Sequence, residues 1–529
     1  MKKQDFWTFA FSFAALGCSA GPDQAAAPAD GQAAMTTGAR PLPADALVAA
    51  LGGKSKLDAI DGLRIEGSGT RYIVNEGPRP GDAPIEANTF ERSVSIQFGA
   101  DALRVDTSRD IVFQLPGSQE YSDIIQGNLG VSTQRVFGTA LGALSSDKLA
   151  AIRRQELLLT PHLLLRELTP AAFVAGEEMT IEGAAQHTLV ASGGPAPLTL
   201  FVDAESGLIT KLETLEHDFY ERDVSIEVFF ADWVPVGDTS FPRSARVLVG
   251  GRERFSQQIS DVSINPTFDA STFEFPEGLT PVFDAALYAR GELSHQWYAM
   301  FDSIGLPVSG VDVSIRPVDV APNVLQLVGT THHSFVVRQS AGLILVDAPL
   351  YDDRGDALLA YLEAQYPGVP VTHVVASHFH EDHAAGVREV LGRTQASLVV
   401  QESAAEFWRG LLAAPSTLRP DALAGSPRNV NVLTVPDAGE LTLEDASNPV
   451  TLYHLSTPHA ADMLLTHDVA SNSVFVVDVY SPGNPAAEGA ADLDAAITSY
   501  AIPTADLKIV GAHGAGIGDY AALQALLLR

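Results

Sequence analysis

The run His378-Phe379-His380-Glu381-Asp382-His383 places three imidazoles and an aspartate within six residues, a donor set suited to divalent metal ions. The preceding stretch Val371 to Ala376 has the pattern of a buried strand, and Gly386 to Leu391 begins a helical one. The His-rich run is therefore the loop between them. His378, His380 and His383 stand at offsets of two and five, which no single helix face presents. A loop that is extended and then turns, at the carboxyl end of a strand, does present them, and α/β proteins place their sites there. Asp382 and His383 can thus face one ion while His378 and His380 face another.

One ion takes about four ligands, so this loop alone cannot close two sites. Further donors stand at predicted strand ends. Asp347 follows Leu343 to Val346, His459 follows Val450 to Leu455 through Ser456-Thr457-Pro458, Asp478 follows Ser473 to Val477, and His513 follows Leu507 to Val510. Cys18 is the only cysteine, which excludes a thiolate nucleophile or a cysteine ligand in the rest of the chain. Ten of the 14 histidines lie beyond residue 311, which points to that region as the seat of the chemistry.

Taken in order, the strand-end Asp347, the His-x-His-x-Asp-His core, His459, Asp478 and His513 resemble the metallo-β-lactamase superfamily over about residues 311–529. The resemblance implies an αββα sandwich. It implies that His378, His380 and His459 hold a first ion, that Asp382, His383 and His513 hold a second, and that Asp478 bridges the two. Asp347 would support the loop by hydrogen bonding rather than ligate. Two divalent ions are implied, Zn2+ foremost, with manganese and iron also used by the family. Water held between two such ions loses a proton near neutral pH, and the same ions polarise a carbonyl or phosphoryl oxygen. The expected activity is hydrolysis of an ester, thioester, lactone or amide-type bond of a small-molecule substrate. Asp382 is also a candidate for steering the attacking water. Tyr480 is a candidate donor to the leaving group, or else a pocket-wall residue.

Three alternatives accompany this reading. True β-lactamases of the family usually carry Cys or Ser where Asp478 stands, so the resemblance points to the wider hydrolase group instead. A mononuclear iron oxidoreductase would keep fewer ligand positions than this sequence has. A lipid- or lipoprotein-binding envelope protein would place the working part earlier in the chain. Among the other histidines, His373 reads as a core residue, His454 as a neighbour of the ligand loop and His467 as exposed. His332 and His333, in a turn before a strand, are candidates for substrate contact. Glu402 to Pro427, with Phe407-Trp408-Arg409, is long enough for a lid and equally suited to an ordinary surface helix.

The elements that position these residues form an α+β chain: an αββα sandwich preceded by a mainly antiparallel β domain. Beyond about residue 311, strands alternate with helices. Residues 281–310 read as a helical connector bearing Trp297 and Phe301. Residues 43–280 are mostly alternating strand runs, among them Leu63 to Tyr72, Ser93 to Phe98 and Val224 to Phe230, with one helical stretch from Asp147 to Glu167 and a hairpin-like loop at Asp203-Ala204-Glu205-Ser206-Gly207. Ala49-Ala50-Leu51-Gly52-Gly53, Leu63 to Gly69 and Leu200-Phe201-Val202-Asp203 are similar to LolA-like lipoprotein-binding domains, which would imply a concave apolar surface.

Residues 1–20 read as an export signal, with Lys2 and Lys3 before the apolar run Phe6 to Leu16. Ala15-Leu16-Gly17-Cys18 resembles a lipoprotein signal, with Ala where Leu is usual; it implies membrane attachment through a lipidated Cys18 and a periplasmic or outer-membrane location. Residues 21–42, rich in Ala, Pro, Gly and Gln, read as a disordered linker. At 529 residues two folded domains are expected. The net charge of −32 repels nucleic acid and anionic lipid surfaces, which excludes both as docking partners of the folded body.

Overall fold

The computed structural model describes residues 43–528 except 114–115, 137–138, 169–172, 193–195, 295–312, 314, 330, 484–488 and 515. The expected export signal, the linker, Cys18, Trp297 and Phe301 lie outside the described residues.

Strand alternation builds the first part. Arg222–Ala231 alternates buried and half-buried residues along its length, so one face of the strand is apolar. Its neighbours do likewise, and together they make a 13-stranded antiparallel sheet. Two meanders meet in the middle of it, where the first strand, Gly62–Ile73, pairs with the last, Arg252–Ile264. The apolar face is covered by helices Pro43–Ala50, Ser146–Leu159 and Pro161–Glu167, whose Leu47, Leu158, Leu159, Leu164 and Leu165 pack on Leu200, Leu212, Ile226 and Val247. The helix expected over Asp147 to Glu167 is thus two helices. Pro161 cannot continue the first, and Thr160 before it is extended (φ −119°, ψ 94°). The Asp203–Gly207 loop closes as expected: Asp203 Oδ1 accepts from Ser206 N at 2.7 Å and Gly207 takes a positive φ of 72°. Of the expected connector, Ala285–Gly291 is helical, capped by Asp284, whose carboxylate accepts from Ala286 N and Leu287 N.

The second part is an αββα sandwich, as the resemblance implies. A seven-stranded sheet and a six-stranded sheet face one another. Along Leu343–Val346 the side chains alternate between two cores: Ile344 and Val346 point between the sheets, Leu343 and Leu345 toward helices Asp352–Gln365, Val387–Arg393 and Ala405–Ala413. Phe335 of one sheet stacks on Phe475 of the other at 5.4 Å. Helices Ala490–Ser499 and Tyr520–Leu527 close the far side with Leu493, Ile497 and Leu523.

Chain direction then gathers the chemistry. Leu343–Val346 runs parallel to Val371–Val375, and Ser473–Val476 parallel to Lys508–Gly511. Their carboxyl ends share one edge of the sandwich, which the cross-sheet bonds Leu464 N to Ser377 O (2.7 Å) and His333 N to Ala512 O (2.8 Å) lock together.

Candidate metal centre

The His-rich run begins extended and then turns. His380 is extended (φ −61°, ψ 141°) and caps the short helix Glu381–Ala384. Asp347 (φ 60°) and Asp478 (φ 39°), each just past a strand, both take the left-handed conformation that Asp tolerates better than most residues. That backbone turn swings their carboxylates toward the loop instead of along the strand.

Four of the imidazoles are held through one nitrogen, which leaves the other facing inward. Asp347 accepts from Ser377 N (2.8 Å), Ser377 Oγ (2.9 Å) and His383 Nδ1 (3.1 Å), which directs His383 Nε2 to the centre. His513 Nδ1 donates to Thr331 O at 2.9 Å and presents Nε2. His380 Nε2 donates to Gly77 O at 2.9 Å and presents Nδ1. His378 Nδ1 lies 3.1 Å from Ser377 Oγ.

The inward atoms converge on Asp478. Its Oδ2 lies 3.2 Å from His378 Nε2, 3.1 Å from His459 Nε2 and 3.2 Å from His383 Nε2, while Oδ1 lies 2.8 Å from His513 Nε2. Two groups able to hold a metal ion result, His378-His380-His459-Asp478 and His332-Asp382-His383-His513, with the donor atoms of each within 4.8 Å of one another. A third overlaps them, Glu76-His380-Asp382. His380 Nδ1 and Asp382 Oδ1 are buried with no hydrogen-bond partner among the described residues, as donors directed at an ion would be.

The electrostatics fit a site built for cations. For His383, burial lowers the proton affinity, but Asp478 and Asp382 outweigh it and hold its pKa well above the usual value. The same balance with Asp478 raises His459 and His513. Burial favours protonated carboxyls, yet His383 and its neighbours hold Asp478 and Asp382 well below the carboxylate range. Carboxylates gathered on these imidazoles make a donor set whose negative charge divalent ions would complement. His380 differs from the raised imidazoles, pushed well down by burial and by His378.

The centre brings together seven of the residues singled out by sequence, His378, His380, Asp382, His383, His459, Asp478 and His513, with Asp347 beneath them. Tyr480 is in neither group. It belongs to the apolar core, and its hydroxyl lies toward Gly518 of the edge strand Ile517–Asp519. His332 is placed in the second group, its Nε2 2.9 Å from Asp382 Oδ2 and its pKa pushed down to about 4 by burial and by His513. Its position in the turn before a strand had marked it only as a substrate contact. His333 Nε2 donates to Gly514 O at 2.6 Å and so steadies the His513 loop. His454 bonds Ala461 O at 2.7 Å, beside the His459 loop. His373 is half-buried rather than a full core residue. His467 is buried rather than exposed, because Met463–Asp468 is covered on both faces. Within Glu402 to Pro427, the helix Ala405–Ala413 has Trp408 fully buried under the seven-stranded sheet, and Phe407 packs on Tyr220 and on Phe379 of the His-rich run. Glu76 carried no signal at all in the sequence.

Residues 327–476 match the family model of the metallo-beta-lactamase superfamily. No curated protein matches the chain. Among solved structures it is similar to a metallo-beta-lactamase from Pontibacter korlensis, at 18% identity and a TM-score of 0.31 over 41% of this chain and 100% of that one. It is similar also to one from Hirschia baltica, at 15% identity and a TM-score of 0.31 over 40% and 96%. The family match, together with a ββ sandwich carrying these His and Asp residues at its strand ends, makes the C-terminal part of this chain a metallo-beta-lactamase superfamily domain.

Proposed function

We propose that this chain is a dinuclear metal-dependent hydrolase acting on an ester, thioester, lactone or amide-type bond. The observation that carries the reading is Asp478, whose two carboxylate oxygens lie between the two donor groups and reach four imidazoles, as a bridging ligand must. His378, His380 and His459 are the proposed ligands of a first ion, and Asp382, His383 and His513 of a second, with His332 beside them. Two divalent ions held so, Zn2+ in the first instance, would supply an activated water and stabilise an oxyanion. The residues do the rest. Asp347 fixes His383, Thr331 fixes His513, and the partly exposed His459 and His513, at 34% and 26%, mark the face open to substrate, while His378 and His383 are sealed at 0%.

Two complete donor groups favour this over a one-iron oxidoreductase. The β-lactam activity named for the similar structures is not carried over, since Asp478 stands where the resemblance expects Cys or Ser in lactamases. A periplasmic or outer-membrane lipoprotein is the proposed setting, on the strength of the first 20 residues. The carrier reading has one observation behind it, a cleft of about 270 Å³ in the β-rich part lined by Ile96, Phe98, Leu103, Leu157 and Leu163, with Arg153, Arg154 and Glu167 also in its wall. It bears on an apolar ligand and leaves the metal centre unexplained.

The test is metal analysis joined to a panel of ester, thioester, lactone and lactam substrates, run on zinc-loaded protein and on Asp382→Ala. Two ions per chain and turnover lost in the variant are expected. Equal turnover of every substrate by both proteins would sink the reading.

A further inference from the structure

We propose that Glu76, from the β-rich part, is a ligand of the first metal ion, so that the centre is completed across the boundary between the two parts of the chain. The proposal rests on the dinuclear reading and adds to it a donor from a strand connection some 300 residues upstream of the His-rich run.

The connection between Gly62–Ile73 and Ile85–Gln97 leaves the large sheet at Asn75, which turns with a φ of 59°. Asn75 is held at both ends of its amide: its Nδ2 donates to Glu221 Oε1 at 2.9 Å, and its Oδ1 accepts from Arg252 Nη1 at 2.9 Å. The next three residues run along the two loops that carry the first donor group. Gly77 O accepts from His380 Nε2 at 2.9 Å, and Pro78 O accepts from Ala461 N at 2.8 Å, two residues past His459. Arg79 N and the Asp82 carboxylate (2.8 Å) close the far side of the turn. The segment is therefore fixed by both parts of the molecule, with Glu76 at its apex.

Two consequences follow for the centre. Because His380 Nε2 donates to Gly77 O, its proton is committed there and Nδ1 is the ring atom left for an ion. Glu76 Oε2 lies 3.7 Å from that Nδ1, too far for a hydrogen bond and suited to two donors sharing one cation. Both side chains are 1% exposed, and one atom each of Glu76, His380 and Asp382 falls within 4.8 Å of the others. Glu76 and His380 lie on the sealed side of the centre, so ligation by Glu76 leaves the face at His459 and His513 free.

The experiment uses the full-length protein loaded with Co2+, comparing wild type, Glu76→Gln, Glu76→Asp and, as a control in the same turn, Arg79→Ala. Chelator competition reads affinity and the visible ligand-field bands read coordination. Glu76→Gln is expected to weaken the tighter or looser of the two ions, whichever His378→Ala also weakens, by roughly 10–100-fold. Its Co2+ bands should change as a carboxylate donor is lost, with Arg79→Ala unchanged. Glu76→Asp, which keeps the charge and retracts it by one methylene, should fall between wild type and Glu76→Gln and serves if the latter does not fold. A folded Glu76→Gln with wild-type bands and wild-type affinity for both ions overturns the proposal alone. Wild-type protein that binds its metal no better than His378→Ala overturns the dinuclear reading on which it stands.

Discussion

At the residue scale the centre depends on which nitrogen of each histidine is spoken for. Asp347 makes the point best, because its carboxylate takes Ser377 N, Ser377 Oγ and His383 Nδ1 at once. Asp347→Asn keeps the volume but turns one oxygen into a donor that faces the His383 Nδ1 proton. On the proposed dinuclear reading, the second ion should lose roughly 10–100-fold in affinity while the first is held as before, which stepwise chelator titration would show. Equal loss of both ions would mean the aspartate holds the whole loop rather than one ring. His332→Ala removes the contact to Asp382 and should likewise weaken the second ion selectively, a result readable in the same titration. The donors at strand ends were legible in the sequence, since a strand followed by His or Asp places a side chain at a sheet edge whatever the details. His332 was half-legible, as a His pair in a turn. Glu76 was not, because Asn75-Glu76-Gly77-Pro78 reads as any polar strand connection, and only the docking of the two parts makes it a neighbour of His380.

At the element scale, Pro161 sets the register of a buried histidine. By ending one helix and starting the next it places His162 against Phe241, ring on ring at 3.8 Å, with Nε2 2.9 Å from Thr239 Oγ1. Thr239 Oγ1 donates its proton to Leu51 O (2.8 Å), so it accepts from His162, and Nδ1 is buried with no hydrogen-bond partner among the described residues. Burial accordingly pushes the His162 pKa from 6.5 down to about 3. Between those values the unfolded chain binds a proton that the folded chain refuses. The stability at stake is therefore whole above pH 6.5 and is lost as pH falls toward about 3, at up to ~1.4 kcal/mol per unit. Urea unfolding at pH 7 and pH 4 on wild type and His162→Gln should show a smaller acid loss in the variant; the same loss in both would assign it elsewhere. The helical content here was readable from leucine spacing, but the break was not. Proline is tolerated in the first turn of a helix, so its meaning depends on whether the chain behind it bends.

At the scale of the whole molecule, the hairpin between Ile209–Asp218 and Arg222–Ala231 docks the β-rich part onto the metal domain. Tyr220 Oη donates to Phe379 O at 2.6 Å, inside the His-rich loop itself. Arg222, fully buried and at a positive φ of 75°, grips both oxygens of Asp352 (2.9 and 3.0 Å) and approaches Asp421 at 3.1 Å. Nothing in Asp218-Phe219-Tyr220-Glu221-Arg222 distinguishes it by sequence from an ordinary turn, since its partners lie 130 residues or more downstream. Removing the guanidinium would leave the half-buried Asp352 without its cation and the buried Asp421 with Arg388 alone. Arg222→Ala should therefore cost about 3–5 kcal/mol, whereas Arg222→Met combined with Asp352→Asn, which removes a charge on each side, should cost much less. Chemical denaturation of the two proteins measures the difference. The same hairpin and the Glu76 turn are tied through Glu221 and Arg252, so loosening the dock should also loosen the first ion. Arg222→Ala that unfolds more easily yet keeps wild-type affinity for both ions would separate the dock from the centre and confine Arg222 to stability.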